Sequence, residues 1–327
     1  MRPPEALPTW EAGAPVGAEL EPGPPPEIPR NPRQIAWTRR RASTGRVWRT
    51  YRKNTLGMIG LAVLILFALV AIFAPLLANK EGLLATCPCN GIPFSPPSLK
   101  YPLGTDNYGR SVLTLTIWGS RVSLAVGLLA TAISIVIGSF IGIVAGYRGG
   151  VSETVLMRLT DWFLVIPFLP LAIVLASVLS PSLGVIIVVI GITSWPSTAR
   201  LIRAQVLTLK ERLYVDRSRA LGASDSHIMA RHILPNVSPL ILANLTLTVP
   251  VAILSETTLS FLGLGDPSRA SWGKMLQEGF EAGALTQQAW WYYVPPGLGI
   301  MLVVLAFTLV GQALEEVLDP RLRDQRA

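Results

Sequence analysis

Charge is what this sequence has least of. Only 15% of its 327 residues are Asp, Glu, Lys or Arg, against about 25% in an ordinary soluble domain. Half of the residues are hydrophobic and the mean hydropathy is +0.47, so long stretches have no ionisable group to keep them in water, and a soluble enzyme is excluded at the outset. Two cysteines cannot build a disulfide framework, and two histidines leave little for a His-based metal or catalytic centre. No G-x-x-x-x-G-K-[ST] loop occurs: Gly273-Lys274 is followed by Met275. The chain therefore has no phosphate cradle of that kind.

What is present is apolar length. A hydrocarbon core about 30 Å thick takes about 20 helical residues to cross. Leu56–Ala78, Val122–Tyr147, Trp162–Ala199, Ile233–Ser255 and Ala282–Leu314 carry no charge. The third run is too long for one crossing and divides at Ser180–Gly184, so six membrane-spanning helices are expected in an all-α integral membrane protein. Pro167 and Pro170 are expected to kink the third span near its middle.

The net charge is +8, and its placement sets the orientation. With both termini cytoplasmic, 22 of the 28 basic residues face the cytoplasm, leaving Lys80, Lys100, Arg110, Arg121, Arg269 and Lys274 outside. The cluster from Arg39 to Lys53 could suggest nucleic acid taken alone. Its place before the first span makes it a topology and lipid-headgroup signal instead. Residues 1–34 hold 10 of the 27 prolines and read as a disordered cytoplasmic tail, not a signal peptide. The expected division is a Pro-rich then basic segment at 1–54, a first helix at 55–78, an extracytoplasmic loop at 79–121, a five-helix core at 122–315 and a cytoplasmic tail at 316–327.

Several groups invite a chemical reading. Cys87 and Cys89 suit a metal or redox pair, a local disulfide or two free thiols. His227 and His232, five apart, are badly spaced for chelation from one helix face and suit packing or solvent. Ser134, Gly138, Gly142 and Gly146 recur every four residues, a spacing that lets helices approach closely, with this chain or a partner. Glu256 lies within an apolar span, where an ionisable group is costly; it suits a structural hydrogen-bonding role or a place in a transport path. Asp161 opens the third span, as a cap or gate-adjacent group. Trp290 to Tyr293 read as an interfacial belt, or an aromatic substrate box.

Between the fourth and fifth spans, RLIRAQVLTLKERLYVDRSRALGASDSHIMARHILPN (200–236) is the longest internal cytoplasmic segment. Tyr214–Leu221 has helical composition, Gly222 tolerates positive φ, Ser224 or Asp225 caps a second helix, and Pro235 ends it. The expected product is a helical hairpin at 207–236.

That pattern resembles the EAA loop of ABC-importer permeases, with Asp216, Arg217 and Ser218 in place of Glu-Ala-Ala. Gly222, Ile233, Leu234 and Pro235 match. PLGTDNYGRSVLTLTIWGSRVSLAVG (102–127), SETTLSFLGLG (255–265), SWGKML (271–276) and LDPRLR (318–323) are similar to the C-type permease of the dipeptide, oligopeptide and nickel importers. The Pro-rich leader and the Cys87–Cys89 region do not match.

The resemblance implies the type I importer permease fold in a bacterial-type inner membrane. It implies a second permease subunit, two ATPases that hold the ATP and magnesium, and an extracytoplasmic solute-binding protein; this chain itself takes no cofactor. The implied ATPase-coupling residues are Asp216, Arg217, Ser218, Arg219, Ala220, Leu221, Gly222, Ala223 and Ser224. The implied cargo is a dipeptide or oligopeptide, with nickel chelates or another solute as the alternative. A secondary transporter is the reading from a different class. It predicts paired mid-membrane charges or internal repeats, and neither is evident here.

Overall fold

The computed structural model describes residues 48–318. The Pro-rich leader, the basic cluster as far as Arg46, and the tail from residue 319 lie outside the described residues. All regular structure among those described is helical, apart from one isolated bridge between Thr105 and Ser111. Five helices are long and apolar enough to cross a membrane: α1 (Thr55–Ile72), α2 (Val112–Arg148), α5 (Leu183–Lys210), α7 (Asp225–Phe261) and α9 (Trp290–Val317). Between them lie α3 (Gly150–Val165), α4 (Phe168–Val178), α6 (Leu213–Ala220) and α8 (Trp272–Glu281).

The third apolar run does not form one kinked rod. α3 and α4 meet at 87°, a broken span or a re-entrant turn. The cause is local. Pro167 offers no N–H and forces Ile166 to φ −76°, ψ 123°, an extended conformation that ends α3. Pro170 falls in the first turn of α4, where its missing N–H breaks no intrahelical bond. Asp161 is consequently far along α3 and does not open a helix. α2 also departs from expectation. It starts ten residues before Val122, because Ser111 caps it by accepting from the Thr114 N–H, and at 37 residues it is about 56 Å long.

α2 and α5 form the closest helix pair, and the four-residue repeat of small side chains is their seam. A Cβ built on Gly142 lies 2.6 Å from the Ala199 carbonyl oxygen and 2.9 Å from the Ile202 Cβ; one on Gly146 lies 2.8 Å from the Val206 Cβ. Gly138 meets Thr198 and the Trp195 carbonyl in the same way. The small residues therefore serve packing within this chain. α1 packs on α9 in similar fashion: Asn54 caps α1 and donates from Nδ2 to Glu316 Oε2 at 2.9 Å, fixing the two ends together. The rest of α1 presents Leu56, Ile59, Ile65, Leu66, Leu69 and Ile72 outward, an apolar face suited to lipid.

Enlarging the seam tests it. Gly142→Leu drives a side chain into backbone atoms that can yield only if the helices part, at a cost of about 1–3 kcal/mol or more. The variant should unfold at a visibly lower temperature in detergent, whereas Gly184→Ala, with open space around its Cβ, should match the parent.

Candidate functional site: a mounted helical corner and a tied outer surface

The hairpin forms. α6 ends in a Schellman turn: the Ala223 N–H bonds to the Ser218 carbonyl at 3.1 Å and the Gly222 N–H to the Arg219 carbonyl at 2.9 Å, with Gly222 at φ +82°. Ser224 then caps α7, its Oγ accepting from the His227 N–H at 3.4 Å. The expected stop at Pro235 does not occur. Residues Met229–Ile233 widen into a π-helical turn, which removes the clash a proline ring makes with the carbonyl four residues earlier, and the helix runs on to Phe261.

The corner divides cleanly into a seat and a face. Val215, Ile228, Ile233 and Val237 are fully buried against Ile143, Tyr147, Ile202 and Val206 from α2 and α5. The Tyr147 hydroxyl donates to Asp225 Oδ1 at 3.2 Å, and Lys210 Nζ to the Gly146 carbonyl at 3.1 Å. Outward stand Asp216, Arg217, Arg219, Ala220, Leu221, Gly222 and Ser224, with Leu221 88% exposed. Asp216 pairs with Arg219 at 3.4 Å, and Arg219 lies over the Tyr147 ring at 5.9 Å. Ser218 and Ala223 are half-buried at the boundary, Ser218 Oγ lying 3.3 Å from His232 Nε2. The two histidine rings of α7 are 6.1 Å apart, and His232 lies equally far from the Tyr214 ring of α6.

Glu256 does not face a path within this chain. It is 1% exposed and accepts from Ser123 Oγ at 3.1 Å and Ser260 Oγ at 2.8 Å. The Trp272 N–H donates to that same Ser123 Oγ at 3.3 Å, and the Trp272 indole to the Thr116 carbonyl at 3.0 Å. One carboxylate thus joins α2, α7 and the start of α8. Asp161 is exposed and bonds Arg200 at 2.6 Å, beside a Glu153–Arg203 pair, so α3 is tied to α5 by two ion pairs.

The segments before α2 and around α8 are tied down more tightly than the sequence indicates. Arg110 bonds Asp106 and Glu278, each at 2.5 Å, joining the loop before α2 to α8. Burial works against the Arg110 charge, but the two carboxylates outweigh it and hold the guanidinium pKa above its ordinary value. Asp266 links the loop after α7 to the start of α5: it accepts from the Leu183 N–H at 3.2 Å and from the Ser268 N–H and hydroxyl at 2.8 and 2.6 Å. Partial burial pushes the Asp266 carboxyl up, and these bonds with Arg269 outweigh it and bring it below the usual carboxylate value. The aromatic belt is only half a belt. Trp290 is 53% exposed, but Tyr292 is fully buried and donates to Asn107 Oδ1 at 3.0 Å, and the Trp291 indole donates to the Thr105 carbonyl. Cys87 and Cys89 are joined as a disulfide.

The Arg110 cluster and the Tyr147–Asp225 contact are what sequence reasoning missed. A signal existed: TDNYGR and GKMLQEG carry opposite charges in otherwise uncharged surroundings, and Val215, Ile228 and Ile233 stand in short apolar patches within a polar stretch.

Long apolar helices around a glycine seam, with one polar corner mounted at their ends, describe a multi-pass membrane protein. The chain belongs to the binding-protein-dependent transport system inner membrane components, whose family model matches residues 138–324; the N-terminal TM domain of oligopeptide transport permease C matches residues 44–96. The oligopeptide transport system permease protein OppC of Bacillus subtilis (strain 168) is 40% identical over 274 residues, 84% of this chain and 88% of that protein. The dipeptide transport system permease protein DppC of the same strain is 38% identical over 277 residues, 84% and 85%. An inward-facing structure of the MetNI methionine ABC transporter aligns with a TM-score of 0.49 at 21% identity, covering 62% of this chain and 96% of that one. Family membership replaces the secondary-transporter alternative.

Two substitutions test the ties. Glu256→Ala strips two buried hydroxyls of their acceptor and opens a cavity, so it should lower detergent stability by about 1–3 kcal/mol, while Glu256→Gln, which can still accept, should lose less. At Asp266 the folded pKa is depressed, so its contribution is full above the unfolded carboxylate value near 3.9 and is lost as pH falls through the lower folded value. Hydrogen-exchange protection across residues 262–271, taken relative to the intrinsic rate at each pH, should therefore fall on acidification below about pH 4 in the parent, and should be low already at neutral pH in Asp266→Asn.

Proposed function

We propose that this chain is one of two membrane subunits of an ATP-driven importer of dipeptides or oligopeptides. In this reading both termini are cytoplasmic, and the corner at Asp216–Ser224 docks on a separate ATPase. A second permease completes the path, two ATPases supply ATP and magnesium, and a solute-binding protein brings cargo to the outer face. The relatives named for oligopeptide and dipeptide transport support the cargo. The basic bias, 22 of 28 Lys and Arg on one side, supports the orientation.

One observation carries the proposal: the corner has an exposed, polar outer face on a fully buried apolar seat. A surface loop with no partner has no need of such mounting. A coupling element does, because displacement imposed on its face reaches α2, α5 and α7 only if the corner moves with them. ATP binding then biases a two-state membrane assembly through one rigid contact, which is the physical content of coupling.

The test keeps the seat and alters the face. A Cβ at Gly222 meets no atom within 4 Å, but Gly222→Val places a β-branched residue at φ +82°, straining the turn by about 1–3 kcal/mol. Asp216→Lys reverses an exposed charge. In reconstituted importer both variants should assemble and both should lose most peptide-stimulated ATPase activity and uptake together; normal activity in both would sink the coupling role.

A further inference from the structure

Five of the six basic residues assigned to the outer side line one cavity. It has a volume of about 610 Å³ and lies between the outer end of α2 and α8; its cations are Lys80, Arg110, Arg121, Arg269 and Lys274. Only Lys100 is elsewhere. Such convergence is not needed for topology, since outer loops are the places where basic residues are scarce.

Carboxylates nearby engage three of the five. Arg110 bonds Asp106 and Glu278, Lys274 lies 3.7 Å from Glu278, and Arg269 lies 3.8 Å from Asp266. Arg121 and Lys80 have no carboxylate partner among the described residues; Arg121 only overhangs the Trp118 ring at 5.8 Å. Trp118 is itself fixed, its indole donating to the Ala78 carbonyl at 3.1 Å. Two uncompensated cations therefore face a space whose acids are already engaged. The cavity wall also carries apolar residues, Leu115, Val122, Ala125, Leu183 and Met275.

We propose that this cavity receives the free α-carboxylate of the peptide cargo, with Arg121 and Lys80 as its partners and the apolar wall taking the adjoining side chain. The inference rests on the peptide-import reading above. It deepens that reading by naming a contact. The α-carboxylate is the anionic group that linear peptides share whatever their sequence, so it is the handle a permease of broad cargo can use. Charge-assisted bonds from a guanidinium and an ammonium are the chemistry that holds it. The volume lies within the roughly 300–1,000 Å³ of small-ligand pockets. An acidic surface of the binding protein, or an anionic lipid headgroup, has part of the same charge but no reason to need an apolar wall beside it inside a cavity.

The complete importer in proteoliposomes decides the matter. Uptake is compared for one tripeptide as free acid and as C-terminal amide, each presented by binding protein saturated with that peptide, in the parent and in Arg121→Gln/Lys80→Gln. The parent should favour the acid. The double variant should lose about tenfold in acid uptake with little change for the amide, so that the ratio falls to near one. An unchanged acid-to-amide ratio overturns the proposal. Parallel loss for both peptides overturns it in favour of a docking surface if binding-protein retention on the vesicles falls too, or of a lipid site if the loss appears only in vesicles containing phosphatidylglycerol. Absence of uptake of either peptide by the parent removes the peptide reading itself, a result distinct from a parent that transports both without preference.

Discussion

The rest of the fold hangs on the contact between α2 and α5. In lipid, apolar side chains gain nothing by leaving a solvent as apolar as themselves, so helices hold together by close packing and by satisfying polar atoms. Gly138, Gly142 and Gly146 bring the α2 backbone against that of α5 over several turns. The corner and the Arg110 cluster lie at opposite ends of this pair. Outward, α2 offers Trp118 and Arg121 and α5 begins at Leu183, held by Asp266; at the other end Tyr147 and Val206 form the seat of the corner.

Polar atoms then decide how the remaining pieces attach. Glu256 is expensive to bury, and its two serine partners lie on α2 and within α7, while Ser123 also accepts from Trp272 of α8. Removing any member leaves another buried group without a partner, so the network fixes one arrangement of three helices. On the outer surface Arg110 does the same for the loop before α2 and for α8, and Asp266 for the loop after α7. These segments also set Leu83, Phe94, Leu103, Trp272 and Met275 into one apolar cluster, and ion pairs and main-chain hydrogen bonds add to that packing.

The apolar spans and the corner were legible because each rests on local chemistry. Charge-free length marks a span, and Gly222 followed by Ser224 marks a turn and a cap. What escaped was set by contacts distant in sequence or by the choice between two local outcomes. Whether Pro167 bends or breaks a helix, and whether Pro235 ends one or is absorbed by a wide turn, depends on what surrounds each proline. Tyr292 looked interfacial by composition, and only the position of Asn107, 185 residues away, makes it a core residue. Asp161 looked like a cap because the charge-free run begins at the next residue, Trp162; helix α3 had in fact begun at Gly150.

The wide turn at Met229–Ile233 has one further consequence, mechanical in nature. Because it absorbs Pro235, one helix of 37 residues continues from the corner through Pro239 and Pro250 to Phe261, a beam about 56 Å long. A beam converts angle into travel: a tilt of about 5° pivoting at one end carries the other about 5 Å, close to the rise of one helical turn. A displacement of that size at the far end of α7 can thus follow from a rotation small at the corner, and the tight mounting of Val215 and Ile228 is compatible with a large stroke elsewhere.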